Sequence, residues 1–163
     1  MPIWVCRTGS YGQHENLFLE NNCICLTREG FDFDLVKCEK SDIESRILEL
    51  NPDAARQTIS NTWSQINIFA EKMAIGDVVI LPKKSSSKIN VAIIQGDYVY
   101  DKEQQFPLNH KRTIKVLAKD VDTTTFNQSL RYSLGAFRTV FQVRQEEQLL
   151  AELRKARVCI DEV

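Results

Sequence analysis

Six short segments with the composition of β-strands constrain the fold of this chain more than any other feature of its sequence. The segment 78–82 is a continuous apolar run, which predicts a strand buried on both faces, and 89–96 returns from a hairpin as the next strand. Short strands in this number, with few helices between them, are typical of an antiparallel barrel or a curled sheet with packed helices. The other predicted strands lie within 2–9, 23–27, 110–121 and 137–143.

Helical periodicity and capping residues predict four helices around these strands. The longest covers 53–73, where apolar residues recur every three or four positions. The closing helix, 145–156, carries acidic residues early and basic residues late, as the helix dipole favours. The caps that the sequence offers are Asn51 for the long helix, Ser41 with Glu44 as a capping box for the helix before it, and Thr124 or Thr125 for a short helix that ends near Gly135.

The composition predicts one globular domain spanning residues 1–163. The chain is 43% hydrophobic and 26% charged, which is ordinary for a folded protein and argues against disorder. Its first residues lack the basic flank and apolar run of a signal peptide, and no segment is long and apolar enough to span a bilayer. We therefore expect a cytoplasmic protein without a membrane partner.

Five cysteines are scattered through the chain, and their spacing does not match a zinc site. Cys23 and Cys25 lie two apart with no second matched pair, and only His14 and His110 could join them. The sequence therefore predicts reduced, buried thiols that act as small hydrophobic residues, without a metal or a cofactor.

Basic residues concentrate in one part of the chain although its net charge is −1. Between Lys83 and Lys119 lie eight basic and three acidic residues, so this segment carries +5 and the remainder −6. This asymmetry permits a basic face on an acidic protein, and an unevenly charged but functionless surface fits it as well.

No catalytic motif is evident, so we expect a binding protein without catalytic residues. The sequence contains no nucleophile elbow, no P-loop and no dinucleotide-binding fingerprint. Three aspartates lie at the ends of predicted strands, with a lysine nearby: Asp77, Asp97 and Asp101, and Lys83. Several carboxylates and a lysine around a cation are typical of metal-dependent nucleases. Gly-Asp pairs more often terminate secondary structure, and a nuclease stays the alternative.

The aromatic residues are the better indication of function. A base that has left its stack is commonly held by aromatic faces and by hydrogen bonds to its edges. Ordinary packing in the core is the competing interpretation, because Trp63 matches the apolar stripe of its helix. The aromatic residues considered are Trp4, Tyr11, Trp63, Tyr98 and Tyr100.

The order of six short motifs resembles the PUA-like superfamily, particularly its EVE and YTH branches. It also resembles the EVE-like domain at the N-terminus of some Mrr-type restriction endonucleases. Each motif is short, and their collinear order carries the resemblance. The motifs are the aromatic strand ending in Arg-Thr at 4–8, the Gly-Asp before a strand at 73–80, the next strand at 91–96, the basic strand at 110–115, and the closing segments 133–135 and 139–141.

The resemblance implies a fold and a set of site residues. The fold would be a small antiparallel or mixed β-barrel with packed helices, of class α+β, with a pocket for a modified base flipped out of duplex DNA. Arg7, which stands where the family usually has Lys, would lie at the pocket mouth. The full set is Arg7, Thr8 and Ser10 at the mouth, Trp4, Tyr11 and Trp63 in an aromatic wall, and Lys83, Lys84, Lys88 and Arg112 on backbone phosphates.

The resemblance also implies partners. DNA is favoured over RNA as the ligand, and a nuclease, either fused or recruited, would make the domain part of a restriction or antiviral defence system. Two alternatives remain open. One is an RNA-binding PUA-like protein, and the other is a protein–protein adaptor that docks through the helix at 145–156 and binds no nucleic acid.

Overall fold

The computed structural model describes residues 2–84, 86–136 and 138–160. The strands in these ranges are β1 (Ile3–Cys6), β2 (Cys23–Cys25), β3 (Val78–Pro82), β4 (Lys88–Ile94), β5 (Val99–Tyr100), β6 (His110–Asp122) and β7 (Val140–Gln142). The helices are α1 (Glu15–Asn21), α2 (Lys40–Leu50), α3 (Arg56–Asn67), the π-helical segment Ile68–Lys72, α4 (Gln128–Leu134) and α5 (Glu146–Lys155).

The strands form one mixed sheet that curls because β6 is long and changes partners along its length. The strand order is β2-β6-β4-β3-β1-β7, with β5 paired to the start of β6. Residues 110–113 pair with β2 and β5, whereas 114–122 pair with β4 across a register shift that bends the strands. β1 runs parallel to β3, and the other pairs are antiparallel. This curled half-barrel with helices packed on it confirms the predicted α+β class.

Both faces of the central sheet are buried, as the continuous apolar run of β3 predicted. On β4, Ala92 and Ile94 face one core, while Val91 and Ile93 face another. The first core includes apolar residues of α1, α2, α3 and the π-helical segment, and the second includes those of α4 and α5. In β3 from Val78 to Leu81 and in β4 from Ile89 to Ile94, side chains on both faces are buried, which explains why these two strands show no regular polar alternation.

A hydrogen-bonded chain of side chains fastens the connection between β2 and α2 to the start of β6. The hydroxyl of Tyr98 lies 2.6 Å from Nδ1 of His110, and the other ring nitrogen of His110 contacts the carbonyl oxygen of Phe31. Because that carbonyl can only accept, Nε2 carries the proton and Nδ1 accepts from Tyr98. The backbone N–H of Leu35 donates to the Tyr98 hydroxyl at 3.2 Å. Burial lowers the pKa of His110, so the neutral ring is favoured.

Two predicted helix starts were wrong. The capping box of α2 uses Glu39 and Asp42, and the Glu39 N–H donates to Asp42 Oδ2 at 2.8 Å, so the helix begins before Ser41. Asn51 ends α2 instead of capping α3, because its carbonyl accepts from Ala54 in a turn that Pro52 introduces. The long helix therefore begins at Arg56 and continues beyond Asn67 as the π-helical segment.

The remaining differences concern short elements. Asn127 caps α4 in place of the predicted Thr124 or Thr125, and its Oδ1 accepts from the N–H of Leu130 at 2.9 Å. The sequence predicted neither a helix at α1 nor a separate strand at β5. Phe137, the first residue of the predicted last strand, lies outside the described residues.

The cysteines agree with the prediction at three positions. Cys6, Cys23 and Cys25 are buried, and burial raises the pKa of the Cys6 thiol to about 12. Cys38 is half-buried and Cys159 is exposed, so these two do not fit the predicted burial. No helix among the described residues has the length and apolar character that crossing a membrane requires.

Candidate nucleic-acid interface

An open cavity of about 650 Å³, called the basic cleft below, lies between three segments that are distant in the sequence. Each segment contributes basic or polar side chains to its wall. The segments and their main lining residues are the β1–α1 turn with Arg7, Gly9 and Ser10, the β3–β4 hairpin with Lys83, Lys84 and Lys88, and α4 with the loop after it, which provides Gln128, Arg131, Tyr132 and Thr139.

Glycine allows the β1–α1 turn to approach the hairpin closely. Gly12 has a φ of +69°, and a Cβ at this position would lie 3.0 Å from Cβ of Lys84. A larger residue would therefore be strained and would push the two walls apart. The turn is closed by a 2.8 Å hydrogen bond from the His14 N–H to the carbonyl of Thr8.

Arg7 shapes the cleft from inside its wall. Its guanidinium donates to the carbonyls of Leu134, Ala136 and Arg138, with the shortest bond 2.6 Å long, to Ala136. The residue is half-buried, and this burial lowers its pKa, although an arginine retains its charge. Arg7 thus joins the end of β1 to the loop after α4, and its donors are largely committed to the backbone.

Lys83 is likewise held by neighbours of opposite charge. Its Nζ lies 2.5 Å from an oxygen of Asp120 and 3.6 Å from one of Glu15. The hydrogen bond with Asp120 raises the pKa of Lys83 and lowers that of Asp120. Asn90 completes the network, because its side chain donates to Glu15 and accepts from the Asp120 N–H. This network fixes the hairpin to α1 and β6.

Three other cations of the cleft have no close ion-pair partner in the described parts of the chain, although the charge of Lys88 helps to lower the pKa of Asp120 and Asp122. Lys84, Lys88 and Arg131 are exposed, and no ion pair to any of them is present in the described parts of the chain. Exposed aromatic rings stand beside them. Tyr132 lines the cleft and is 73% exposed, and Tyr11, next to Ser10, is 81% exposed. The rim therefore offers free positive charge together with accessible π-faces.

Both predicted indoles lie away from the cleft lining. Trp4 is 4% exposed, and its Nε1 donates to Oδ2 of Asp77 at 2.9 Å. Trp63 is half-buried against the first core, and Nζ of Lys40 lies 4.1 Å from the centre of its ring. The indoles pack as structural residues, and an aromatic wall around the cleft would have to come from Tyr11 and Tyr132.

Arg112 is also placed in the interior. It is 3% exposed, and its guanidinium donates to the carbonyls of Phe69 at 2.7 Å, Ala70 at 3.1 Å and Gly96 at 3.3 Å. The bonds to Phe69 and Ala70 satisfy carbonyl groups at the end of the π-helical segment, where regular helical partners are lacking. A buried arginine with three backbone acceptors does not reach a phosphate at the surface.

Thr8 lies beneath the β1–α1 turn and not at its surface. It is 1% exposed, and its Oγ1 has no hydrogen-bond partner among the described residues. The predicted position at the pocket mouth therefore applies to Ser10, which lines the cleft, and not to the Thr8 side chain. An unsatisfied buried hydroxyl costs about 1–3 kcal/mol, so Thr8 retains an unused capacity for a polar contact.

Two of the three carboxylates considered for a nuclease, Asp77 and Asp101, have structural contacts. Asp77 accepts from Trp4 and from the N–H of Ala74, and Asp101 lies 3.9 Å from Nζ of Lys111. Within the described ranges, no cluster of three or more metal-ligating side chains forms.

The sequence reasoning missed the contribution of α4 to the site. Arg131 and Tyr132 lie more than forty residues beyond the hairpin that they face, on a helix of seven residues. A single Arg-Tyr pair on a short helix carries no recognisable pattern. Only the curl of the sheet brings it opposite Lys84 and Lys88.

The strands and helices form an α+β half-barrel that carries a basic cleft. The YTH domain of Zygosaccharomyces rouxii MRB1 protein, in complex with N6-methyladenosine RNA, superposes with a TM-score of 0.53 at 12% identity, covering 95% of this chain and 86% of that one. Protein Atu2648 from Agrobacterium tumefaciens gives a TM-score of 0.42 at 12% identity, covering 96% and 92%.

The sequence comparison adds the family. Residues 4–144 match the family described as a domain of unknown function (DUF8426), and the chain belongs to this family. No curated protein matches the sequence. Because the chain superposes on a YTH domain, the YTH part of the predicted resemblance is confirmed at the level of fold. The association with Mrr-type endonucleases stays a prediction.

Proposed function

We propose that this domain binds nucleic acid in the basic cleft and recognises a modified base there. The observation that carries the proposal is the convergence of Lys84, Lys88 and Arg131, without ion-pair partners in the described chain, on one cavity of a protein whose net charge is −1. Phosphate groups supply sequence-independent affinity through such cations, and base contacts supply specificity.

The size and rim of the cleft fit a nucleotide. Its volume of about 650 Å³ lies within the usual range of ligand pockets, about 300–1,000 Å³. Tyr132 and Tyr11 are the rings on which a base would stack, while Ser10, which lines the cleft, offers a polar contact to its edge. The common fold with a YTH domain solved on N6-methyladenosine RNA supports a modified base as the recognised feature.

For the ligand we propose duplex DNA with the base extruded, and for the context a restriction or defence system that includes a nuclease. The support is the order of motifs that the chain has in common with EVE-like domains of Mrr-type endonucleases. Extrusion is needed because, inside a duplex, the faces of a base are stacked and its Watson–Crick edge is paired, so a cleft can reach neither.

The test compares fluorescence anisotropy of matched oligonucleotides: duplex DNA with and without N6-methyladenine or 5-methylcytosine, and RNA of the same sequence with and without N6-methyladenosine. We expect preferential binding of one modified DNA, and affinity that falls between about 50 and 200 mM salt. Tyr132→Ala should remove the preference, whereas Tyr132→Phe, which keeps the ring, should retain it.

The alternatives predict different results in the same assay. Preferential binding of the modified RNA would show that the ligand is RNA and not DNA. Absence of affinity for every oligonucleotide would contradict the proposal and favour the adaptor.

A further inference from the structure

A second surface, independent of the basic cleft, lies along the open edge of the sheet. β7 is the terminal strand and pairs with β1 on one side only. Val143 donates to the carbonyl of Ile3, and Arg7 donates to the carbonyl of Thr139, each at 2.8 Å. Since bonding alternates along an antiparallel pair, the N–H and C=O groups of Val140 and Gln142 point away from β1.

These groups face a groove of about 510 Å³, called the edge groove below. Residues of α3 and the start of the π-helical segment form its other wall, and it shares no lining residue with the basic cleft. An extended chain placed in this groove could add a strand to the sheet at β7, with backbone groups already oriented to receive it.

Gln65 provides a further donor in the groove. It is 8% exposed, and its Oε1 accepts from the N–H of Thr139 at 3.1 Å and from Nη2 of Arg28 at 3.2 Å. Because both donors bond the oxygen, the orientation of the amide is fixed, and the N–H groups of Nε2 remain available to an occupant of the groove. Nε2 has no hydrogen-bond partner within the described ranges, and the residue lines the groove.

The charges at the ends of β7 select the occupant. Arg138 and Arg144 both line the groove and are exposed, and the described chain contains no ion pair to either. Glu146 also lines the groove, and it accepts a 2.8 Å hydrogen bond from Nε2 of Gln142. Positive charge thus flanks the open backbone groups on both sides.

A second copy of this chain is a poor occupant for the same reason. In the antiparallel self-pairing that uses both Val140 and Gln142, residue 138 of one copy stands opposite residue 144 of the other. This register places Arg138 against Arg144, and like charges directly opposite each other destabilise a strand pair. An acidic strand would instead place carboxylates opposite both arginines, and Glu146, the one acidic residue among the described residues that line the groove, is held by its hydrogen bond to Gln142.

We propose that the edge groove binds an extended, acidic peptide segment of a partner protein, which pairs with β7 as an additional strand. The backbone of the peptide bonds Val140 and Gln142, and its carboxylates lie near Arg138 and Arg144. This inference does not depend on the proposed function of the basic cleft.

The decisive variants differ in one backbone donor. Gln142→Pro removes the outward N–H without taking a bond from β1, and the extended backbone before it tolerates proline. Gln142→Ala loses the same side chain but keeps the N–H, so it is the matched control. Arg138→Glu with Arg144→Glu reverses the flanking charge at exposed positions and tests the same groove without altering the backbone.

The probe is a fluorescein-labelled peptide alternating Glu and Val, compared by anisotropy with a Lys/Val peptide of equal length. We expect the acidic peptide to bind at least about ten-fold more tightly than the basic one. Gln142→Pro should bind it about ten-fold more weakly than Gln142→Ala, as one lost hydrogen bond predicts. The double charge reversal should lower the affinity by a similar factor.

Several results would overturn the inference. These are equal affinities of Gln142→Pro and Gln142→Ala, indifference to the charge reversal, no binding of the acidic peptide, or displacement of the peptide by an oligonucleotide. A dimer that appears with rising concentration and is abolished by Gln142→Pro would assign the edge to self-association instead. Oligonucleotide binding should be unchanged in Gln142→Pro, which separates failure here from failure at the basic cleft.

Discussion

The rim of the basic cleft and the interior around Trp4, Trp63 and Arg112 contain the same kinds of residue in opposite roles. At the rim, cations and tyrosines are exposed and lack ion-pair partners in the described chain. In the interior, the guanidinium of Arg112 is bonded to three carbonyls and the indole of Trp4 to a carboxylate. Cations and aromatic rings therefore indicate binding only where their donors and faces remain free.

Lys83 and Arg7 lie between these extremes. Both line the cleft, but Lys83 is paired with Asp120 and Glu15, and Arg7 is bonded to the loop after α4. Their charge contributes to the field of the cleft while their geometry maintains its walls.

The largest expected effect belongs to Arg112. Arg112→Ala leaves three buried carbonyls without donors, and we expect the free energy of unfolding to fall by about 3 kcal/mol or more. Urea denaturation followed by circular dichroism measures it. If the variant kept its stability but bound oligonucleotides more weakly, Arg112 would be part of the nucleic-acid interface, and its structural assignment would be wrong.

The cleft cations come next. Lys84→Ala, Lys88→Ala and Arg131→Ala together should weaken oligonucleotide binding roughly 100-fold at low salt, and each should lower the slope of log affinity against log salt by about 1. Unfolding should be unaffected, because these side chains are exposed. Lys102→Ala, in the connection between β5 and β6 and outside the cleft lining, is the charge-matched control and should leave the slope unchanged.

Trp4→Phe is expected to have a smaller effect. The ring volume is largely kept, but Oδ2 of Asp77 loses one of its two donors, so stability should fall by about 1–2 kcal/mol. Denaturation midpoints measure this change. If the variant kept its stability but lost its preference for the modified base, the Trp4 indole would belong to the recognition site, contrary to its structural assignment.

The fold was more accessible from the sequence than the site was. The strands of the central sheet have apolar runs that report burial directly, and β3, β4 and β6 were predicted near their observed bounds. Ser10 and the hairpin lysines, which the family resemblance implied as site residues, all line the cleft. Arg131 and Tyr132 were missed because their proximity to the hairpin arises only from tertiary curl, and Arg112 was misplaced because its partners are carbonyls, which leave no trace in a sequence.

The smallest effect concerns pH. Burial lowers the pKa of His110 below its value in the unfolded chain, about 6.5, so the unfolded chain binds the proton more readily. Stability is therefore complete above about pH 6.5 and declines as the pH falls toward the folded pKa, by at most about 1.4 kcal/mol per pH unit. His110→Gln should flatten the dependence of the urea midpoint on pH between about pH 7 and 5. An unaltered slope in His110→Gln would contradict this assignment.

The most direct measurement is a titration of isotopically labelled protein with the preferred oligonucleotide, followed by amide and indole N–H resonances. We expect shifts at Ser10, Lys84, Lys88, Arg131 and Tyr132, while the indole resonances of Trp4 and Trp63 stay in place. Shifts concentrated at Trp63 and Lys40, with none around the cleft, would contradict the account.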